Sequence, residues 1–155
     1  MDILHKKQGN VVATIDRRVL IFVRDRPLTS AALSEVEASL EPLRSTLGPT
    51  HQGGVLAVIP GDAGLSSSEL LARQRKLFAE ARQLGHLWIA FCVTGQGAQT
   101  FVLRAAIRMF MPGHPSLSLH DDLRPAVRWL AERTGLSRDV LETGVRELQR
   151  TVAEA

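Results

Sequence analysis

Three consecutive serines, Ser66, Ser67 and Ser68, follow a Gly/Pro-containing loop and precede a helical pattern. The N-terminus of a helix has unpaired backbone N–H groups, and a serine hydroxyl there can accept a hydrogen bond from one of them. The same position attracts anions and would suit a bound phosphate or a phosphoserine. Glu69, directly after the serines, would oppose a bound anion. The cluster therefore predicts a helix cap first and a regulatory phosphorylation or phosphate site second.

A second glycine-containing loop, at residues 95–98, also connects an apolar run to a helical pattern. It lacks the Lys-Ser/Thr ending of a Walker loop and the third glycine of a dinucleotide fingerprint, so a plain tight turn is the favoured interpretation. Both this loop and the loop at residues 61–68 should lie at the carboxyl ends of adjacent strands, where open α/β sheets bind ligands. A small enzyme or a nucleotide- or phosphate-binding protein is therefore the alternative function.

Other reactive side chains give no catalytic pattern. Cys92 is the single cysteine and lies within an apolar run, which predicts a buried, reduced core residue. The five histidines are dispersed, and even His114 and His120 do not form a recognised site with each other. No Gly-x-Ser-x-Gly nucleophile elbow occurs. We therefore predict no catalytic residue, no metal site and no cofactor.

The segment at residues 98–111 is predicted to be a helix that is apolar around most of its circumference, with Thr100, Arg104 and Arg108 as a narrow polar strip. Such a helix is normally buried on more than one side. One side would face the sheet. The other would meet the C-terminal helix, a second subunit, an apolar ligand, or a membrane surface with two arginines near anionic headgroups. The candidate interface or apolar-ligand residues are Phe101, Arg104, Arg108, Phe110 and Met111.

These segments belong to an alternation of strands and helices. Val11 to Ile15 and Val19 to Val23 predict a hairpin, and Ser116 to Leu119 predicts a short peripheral strand. Val55 to Ile59 and Leu87 to Val93 are continuous apolar runs, typical of strands covered on both faces.

Caps and breakers predict the helices between and after these strands. Thr29 or Ser30 would cap the first helix, and Pro42 predicts a kink or break near Glu41. The second helix would run from about residue 67 to 84, with Gly85 as its C′ residue. Asp121 or Asp122 would cap the fourth helix, which Gly135 closes, and Ser137 would cap the fifth.

The last helix has an apolar seam of Leu141, Val145, Leu148 and Val152 at alternating spacings of four and three. This pattern predicts either packing back on the domain or dimerisation. The predicted order of elements is ββαβαβαβαα. It indicates an α/β fold with a mixed, mostly parallel sheet of about five strands and helices packed against it. Residues 1–135 would form the α/β domain and residues 136–155 a C-terminal helical extension of it.

Composition limits the function classes. The chain has 155 residues, of which 45% are hydrophobic and 23% charged, so a single domain with a proper core is expected. The net charge of +3 and the low aromatic content do not form the basic, aromatic surface of a nucleic-acid-binding protein. No apolar run reaches about 18 residues, and the N-terminal segment is polar. We therefore expect a soluble, cytoplasmic protein with no membrane span.

Two local motifs resemble the STAS domain of anti-sigma factor antagonists and the related lipid-binding SpoIIAA-like group. The run Leu119-His120-Asp121-Asp122-Leu123-Arg124-Pro125-Ala126-Val127-Arg128-Trp129-Leu130 resembles the closing motif of that group. Asp62-Ala63-Gly64-Leu65 lies where the antagonists have Asp-Ser-Ser-Gly-Leu, between the central strand and the next helix. The resemblance covers about Val11 to Arg133 and also includes the order of elements.

The resemblance implies a non-catalytic regulatory or scaffold domain in bacterial signalling. Such a domain would act by binding another protein, or itself as a homodimer, with lipid or apolar-ligand binding as a related function. The implied docking face is the loop from Gly61 to Ser68 and the start of the next helix. Aligning Gly64-Leu65 with the Gly-Leu of the family places Asp62 at the phosphorylated serine, and an aspartate imitates phosphoserine only weakly. The candidate partner- or phosphate-binding residues are Asp62, Gly64, Ser66, Ser67 and Ser68.

Overall fold

A computed structural model describes residues 1–109 and 114–154 of the chain. Over these residues, one six-stranded sheet is covered by five helices. The strands are β1 (Asp2–Lys7), β2 (Asn10–Ile15), β3 (Val19–Arg24), β4 (Gly53–Pro60), β5 (Leu87–Thr94) and β6 (Leu117–His120). The helices are α1 (Ser30–Thr46), α2 (Ser68–Arg82), α3 (Ala98–Met109), α4 (Leu123–Thr134) and α5 (Arg138–Ala153).

The strands lie in the sheet in chain order, from β1 to β6. β1, β2 and β3 pair antiparallel, and β3, β4, β5 and β6 pair parallel. The α/β class and the mixed sheet predicted from the sequence are therefore confirmed. The predicted number of about five strands is wrong, because β1 was missed. Most of its residues are exposed, so its sequence has no apolar alternation to mark a strand.

The helices form one layer on each face of the sheet. Right-handed crossovers between parallel strands in sequential order place α1, α2 and α3 on the same face. The last two helices, α4 and α5, cover the opposite face. Along β4, Val55, Ala57 and Ile59 enter the first core, while Leu56 and Val58 enter the second. This double burial explains the unbroken apolar run in the sequence.

Three hydroxyl caps occur at predicted positions. Thr29 accepts a hydrogen bond from the backbone N–H of Ala32 at 3.2 Å. Ser137 accepts one from Val140 at 3.5 Å, and Ser67 caps α2. Asp122 occupies the N-cap position of α4 but makes no side-chain capping bond.

The structure corrects two predicted helix boundaries. The sequence predicts a kink or break near Glu41; helix α1 continues through Pro42, so the helix does not break there. Leu40 and Leu43, on either side of the proline, are buried against the sheet and hold the helix together across it. After α2, the left-handed residue is His86, with φ 68°, rather than Gly85.

The apolar seam of α5 packs back on its own domain. Leu141, Val145 and Leu148 are fully buried, and Val152 is 6% exposed. Because α5 lies on the face of the sheet opposite to α3, it cannot cover the outer side of α3. The C-terminal helix is therefore ruled out as the element that buries that side.

Candidate functional site

The loop after β4 and the first turns of α3 meet at the carboxyl edge of the sheet. β4 and β5 are parallel neighbours, and the backbone N–H of Gly61 donates to the carbonyl of Thr94 at 2.7 Å. A Cβ atom on Gly61 would lie 1.8 Å from Oγ1 of Thr100, so only glycine fits at this position. The contact brings the loops at residues 61–67 and 95–97 together.

Arg24, at the end of β3, holds the loop at residues 61–67 through hydrogen bonds to its backbone. Its side chain donates to the carbonyl of Gly64 through both terminal nitrogens, at 3.2 Å each, and to the carbonyl of Arg26 at 2.9 Å. The residue is only 2% exposed, and burial lowers the pKa of Arg24 to about 10. Among the described residues no carboxylate forms an ion pair with it. Its role is therefore to hold loop carbonyls.

An open groove of about 420 Å³ lies between this loop and α3. Its walls are Gly61, Asp62, Gly64 and Leu65 on the loop side and Ala98, Gln99, Val102 and Leu103 on the helix side. We call it the carboxyl-edge groove. Asp62 is exposed and is the one charged residue among the described residues of the lining. The groove can therefore accept an apolar segment and place one carboxylate beside it.

Large apolar side chains are exposed in the groove and along the adjoining helix α3. Leu65 is 48% exposed and Val102 47%. On α3, Phe101 is 69% exposed and Met109 is 76% exposed. Met109 follows Phe101 by eight residues and Val102 by seven, so the three share one face of the helix. Leu65 and Val102 are not among the site residues predicted from the sequence, although an apolar residue between glycine and serines in a loop is a usable signal.

The polar strip of α3 lies elsewhere than predicted. Thr100 is 3% exposed, and its hydroxyl contacts the loop rather than solvent. The guanidinium of Arg104 donates to the carbonyls of Val93 at 2.7 Å and Gly95 at 3.2 Å. These contacts tie the guanidinium to the backbone at the end of β5, and Arg104 is half-buried. Only Arg108 of the strip is exposed.

The remaining predicted site residues separate into three groups. Asp62 and Gly64 line the groove, and Phe101 lies beside it. Ser67 accepts a hydrogen bond from the N–H of Leu70 at 3.3 Å, which confirms the capping interpretation for that serine. Its neighbours Ser66 and Ser68 are half-buried and exposed, respectively. Two further candidates, Phe110 and Met111, lie outside the described residues.

The cysteine and the histidines form no catalytic or metal-binding cluster within the described residues. His114 and His120 each pair with a serine, at 2.5 Å with Ser116 and 2.7 Å with Ser118. Burial raises the pKa of Cys92 to about 12, which leaves the thiol protonated and unreactive at neutral pH. No group of three or more metal-binding side chains occurs within residues 1–109 and 114–154.

Comparison with known proteins adds no relationship: no family model, curated protein or solved structure matches the chain. None of the helices in the described part of the chain has the length and apolar composition needed to cross a bilayer.

Proposed function

We propose that this protein is a non-catalytic regulatory or scaffold protein that binds another protein at the carboxyl-edge groove. The observation that carries the proposal is the exposed apolar surface of Leu65 and Val102 in that groove, which Phe101 and Met109 extend along α3. A clustered apolar surface on a folded domain is unfavourable in water and marks an interaction site. Helix α3 forms the helix side of this surface, and its Thr100 packs against Gly61 of the loop.

The lining indicates the chemistry of the partner. Apart from Asp62 and Gln99, the groove presents glycine and apolar side chains. A matching segment has apolar residues to bury against Leu65 and Val102 and an arginine or lysine to meet Asp62. The partner is therefore an apolar segment with one basic residue on another protein.

The phosphate- or nucleotide-binding alternative has less support. A phosphate site needs cations or free N–H donors that converge on the ligand. Here the charged residue of the groove is Asp62, and the nearby Arg104 is bound to backbone carbonyls. The hydroxyl of Ser67 is engaged with its own helix. These contacts favour an apolar, cationic partner over an anion.

The resemblance to STAS antagonists forms part of the proposal. Asp62 is exposed in the loop directly after β4, at the position that the resemblance assigns to the phosphorylated serine. An aspartate has no hydroxyl group for a kinase to phosphorylate, so partner binding would not be switched by a kinase at this residue. Strand β1, which the predicted order of elements lacks, lies at one edge of the sheet and is four strands away from β5.

The test compares two valines with equal exposure. Val102 borders the groove, and Val140 on α5 lies on the other face of the sheet; each is 47% exposed. Val102→Glu should reduce recovery of a partner from isotope-labelled native lysate by at least about tenfold, because it places a charge in an apolar contact. Val140→Glu should recover the partner as the wild type does, and both variants should keep the wild-type thermal midpoint. Equal recovery by the two variants would refute the proposal.

A further inference from the structure

We infer that a second copy of this chain binds at the edge strand β1, by antiparallel pairing of the two β1 strands about a two-fold axis. Among the described residues β2 is the one strand that pairs with β1, so the outer row of backbone N–H and C=O groups of β1 has no partner strand. On β1, Ile3 is 46% exposed and Leu4 40%. No described residue of the carboxyl-edge groove belongs to β1, so the inference does not depend on the proposed function.

A β-bulge in β1 determines which of its side chains share a face. Ile3 pairs with Ala13 and His5 pairs with Val12, so Leu4 is an extra residue between them. Leu4 lines a surface groove beside α1, and Val12, opposite His5, lies in the core on the side of α1. Leu4 and His5 therefore lie on the same face, whereas neighbours in a regular strand lie on opposite faces.

The bulge favours a second copy as the occupant of this edge. A bulge twists a strand and interrupts its register, which protects an edge against pairing with an arbitrary strand. A second β1 has the same bulge at the same place. A two-fold axis between Leu4 and His5 sets each leucine opposite the partner subunit's His5, with both side chains on one face, as antiparallel neighbours require. The two irregularities then match each other.

The charges of β1 are complementary in this arrangement. The same axis sets Asp2 opposite the partner subunit's Lys7, and the symmetry repeats the contact. Asp2 and Lys7 pair with Thr14 and Asn10, which alternate with Val12 along β2 and so share its face. Neither charge forms an ion pair within the described part of the chain. Opposite charges directly across an antiparallel pair stabilise it, and like charges destabilise it.

The same register covers the exposed isoleucine on the other face. Ile3 pairs with Ala13 and Lys6 with Val11, and both of these β2 residues lie in the core on the side of α5. Ile3 then lies opposite the partner subunit's Lys6 and buries apolar surface against the aliphatic part of that side chain. The ammonium of Lys6 is 3.9 Å from the carboxylate of Glu154, so its charge is balanced within its own chain.

Sedimentation velocity of the full-length protein, with any purification tag at the C-terminus, measures the oligomeric state. We expect a dimer of 17.0 kDa chains. A wild type that is still monomeric at about 1 mM, the weak end of specific association, would overturn the inference.

Charge reversal tests the register of the pairing. Asp2→Lys and Lys7→Asp should each raise the dimer Kd about tenfold, because symmetry turns two attractions into two repulsions. An equimolar mixture of these two variants should form a heterodimer with about the wild-type affinity, since each contact again joins opposite charges. Native mass spectrometry separates the heterodimer from the two homodimers.

A matched control makes the same charge change outside β1. Lys76 is exposed on α2, the helix between β4 and β5, and Lys76→Asp should leave the dimer Kd unchanged. Wild-type dimerisation by Asp2→Lys or Lys7→Asp, or failure of their mixture to restore the dimer, would contradict the inference.

Discussion

Gly61 and Thr100 approach so closely that a Cβ atom on the glycine would lie 1.8 Å from Oγ1 of the threonine. The glycine begins the loop after β4, and the threonine lies in the first turns of α3 with 3% of its surface exposed. This contact joins the two walls of the carboxyl-edge groove. The spacing between Leu65 and Val102 therefore depends on Gly61, whose sequence context predicts only a loop.

Gly61→Ala should reduce the free energy of unfolding by about 1–3 kcal/mol, because the added methyl group forces α3 away from the loop. Gly85→Ala is a matched control, since a Cβ at Gly85 would meet nothing within 4 Å. That control should change stability by less than about 0.5 kcal/mol. Urea denaturation of both variants measures the difference, and an equal effect of the two substitutions would contradict the role given to Gly61.

Arg24 is predicted to control the order of the loop at residues 61–67. Arg24→Met removes a buried cation that has no carboxylate partner among the described residues, but it leaves the carbonyls of Gly64 and Arg26 without their donor. Amide exchange in that loop should accelerate, while exchange in α5 should stay close to the wild type. Hydrogen exchange with mass spectrometry separates these regions. Unchanged protection in the loop would show that Arg24 does not hold it.

His120 should make stability depend on pH in the acid range. Burial lowers its pKa, the nearby Asp121 acts in the opposite direction, and Arg133 adds to the lowering. The unfolded chain, with a histidine pKa of about 6.5, therefore binds the proton more readily than the folded state. The free energy of unfolding should rise as pH increases through the folded-state pKa toward about 6.5.

His120→Gln keeps a hydrogen-bonding partner for Ser118 and removes this titration. The variant should lose less stability than the wild type between about pH 7 and pH 5. Urea denaturation at both pH values checks the difference. Identical losses in the two proteins would contradict the assigned effect of burial on His120.

The sequence predicted the central layers of the fold because their signals are local. Continuous apolar runs of five to seven residues predict strands covered on both faces. The two such runs, Val55 to Ile59 and Leu87 to Val93, do lie within β4 and β5. Thr29 and Ser137 cap their helices as predicted. These features depend on neighbouring residues and on a period, both of which can be read from the sequence.

The site was harder to predict because its geometry depends on contacts between distant segments. Thr100 and Arg104 have the spacing of an exposed polar strip, yet both face the end of the sheet, where backbone groups need partners. The close contact of Gly61 with Thr100 of α3 joins residues 39 positions apart. The hydrogen bonds from Arg24 to the carbonyl of Gly64 join residues 40 positions apart. β1 was missed because an exposed edge strand has no apolar alternation.

A photo-crosslinking measurement tests the central claim most directly. A benzophenone amino acid replaces Phe101, which is already aromatic and 69% exposed beside the groove, or Val140 as the control on the opposite face. Irradiation in native lysate should give one discrete adduct with another protein from position 101 and none from position 140. The adduct should disappear when Val102→Glu is introduced as well. An adduct with a second copy of this chain, equal labelling from both positions, or no adduct from position 101 would contradict the account.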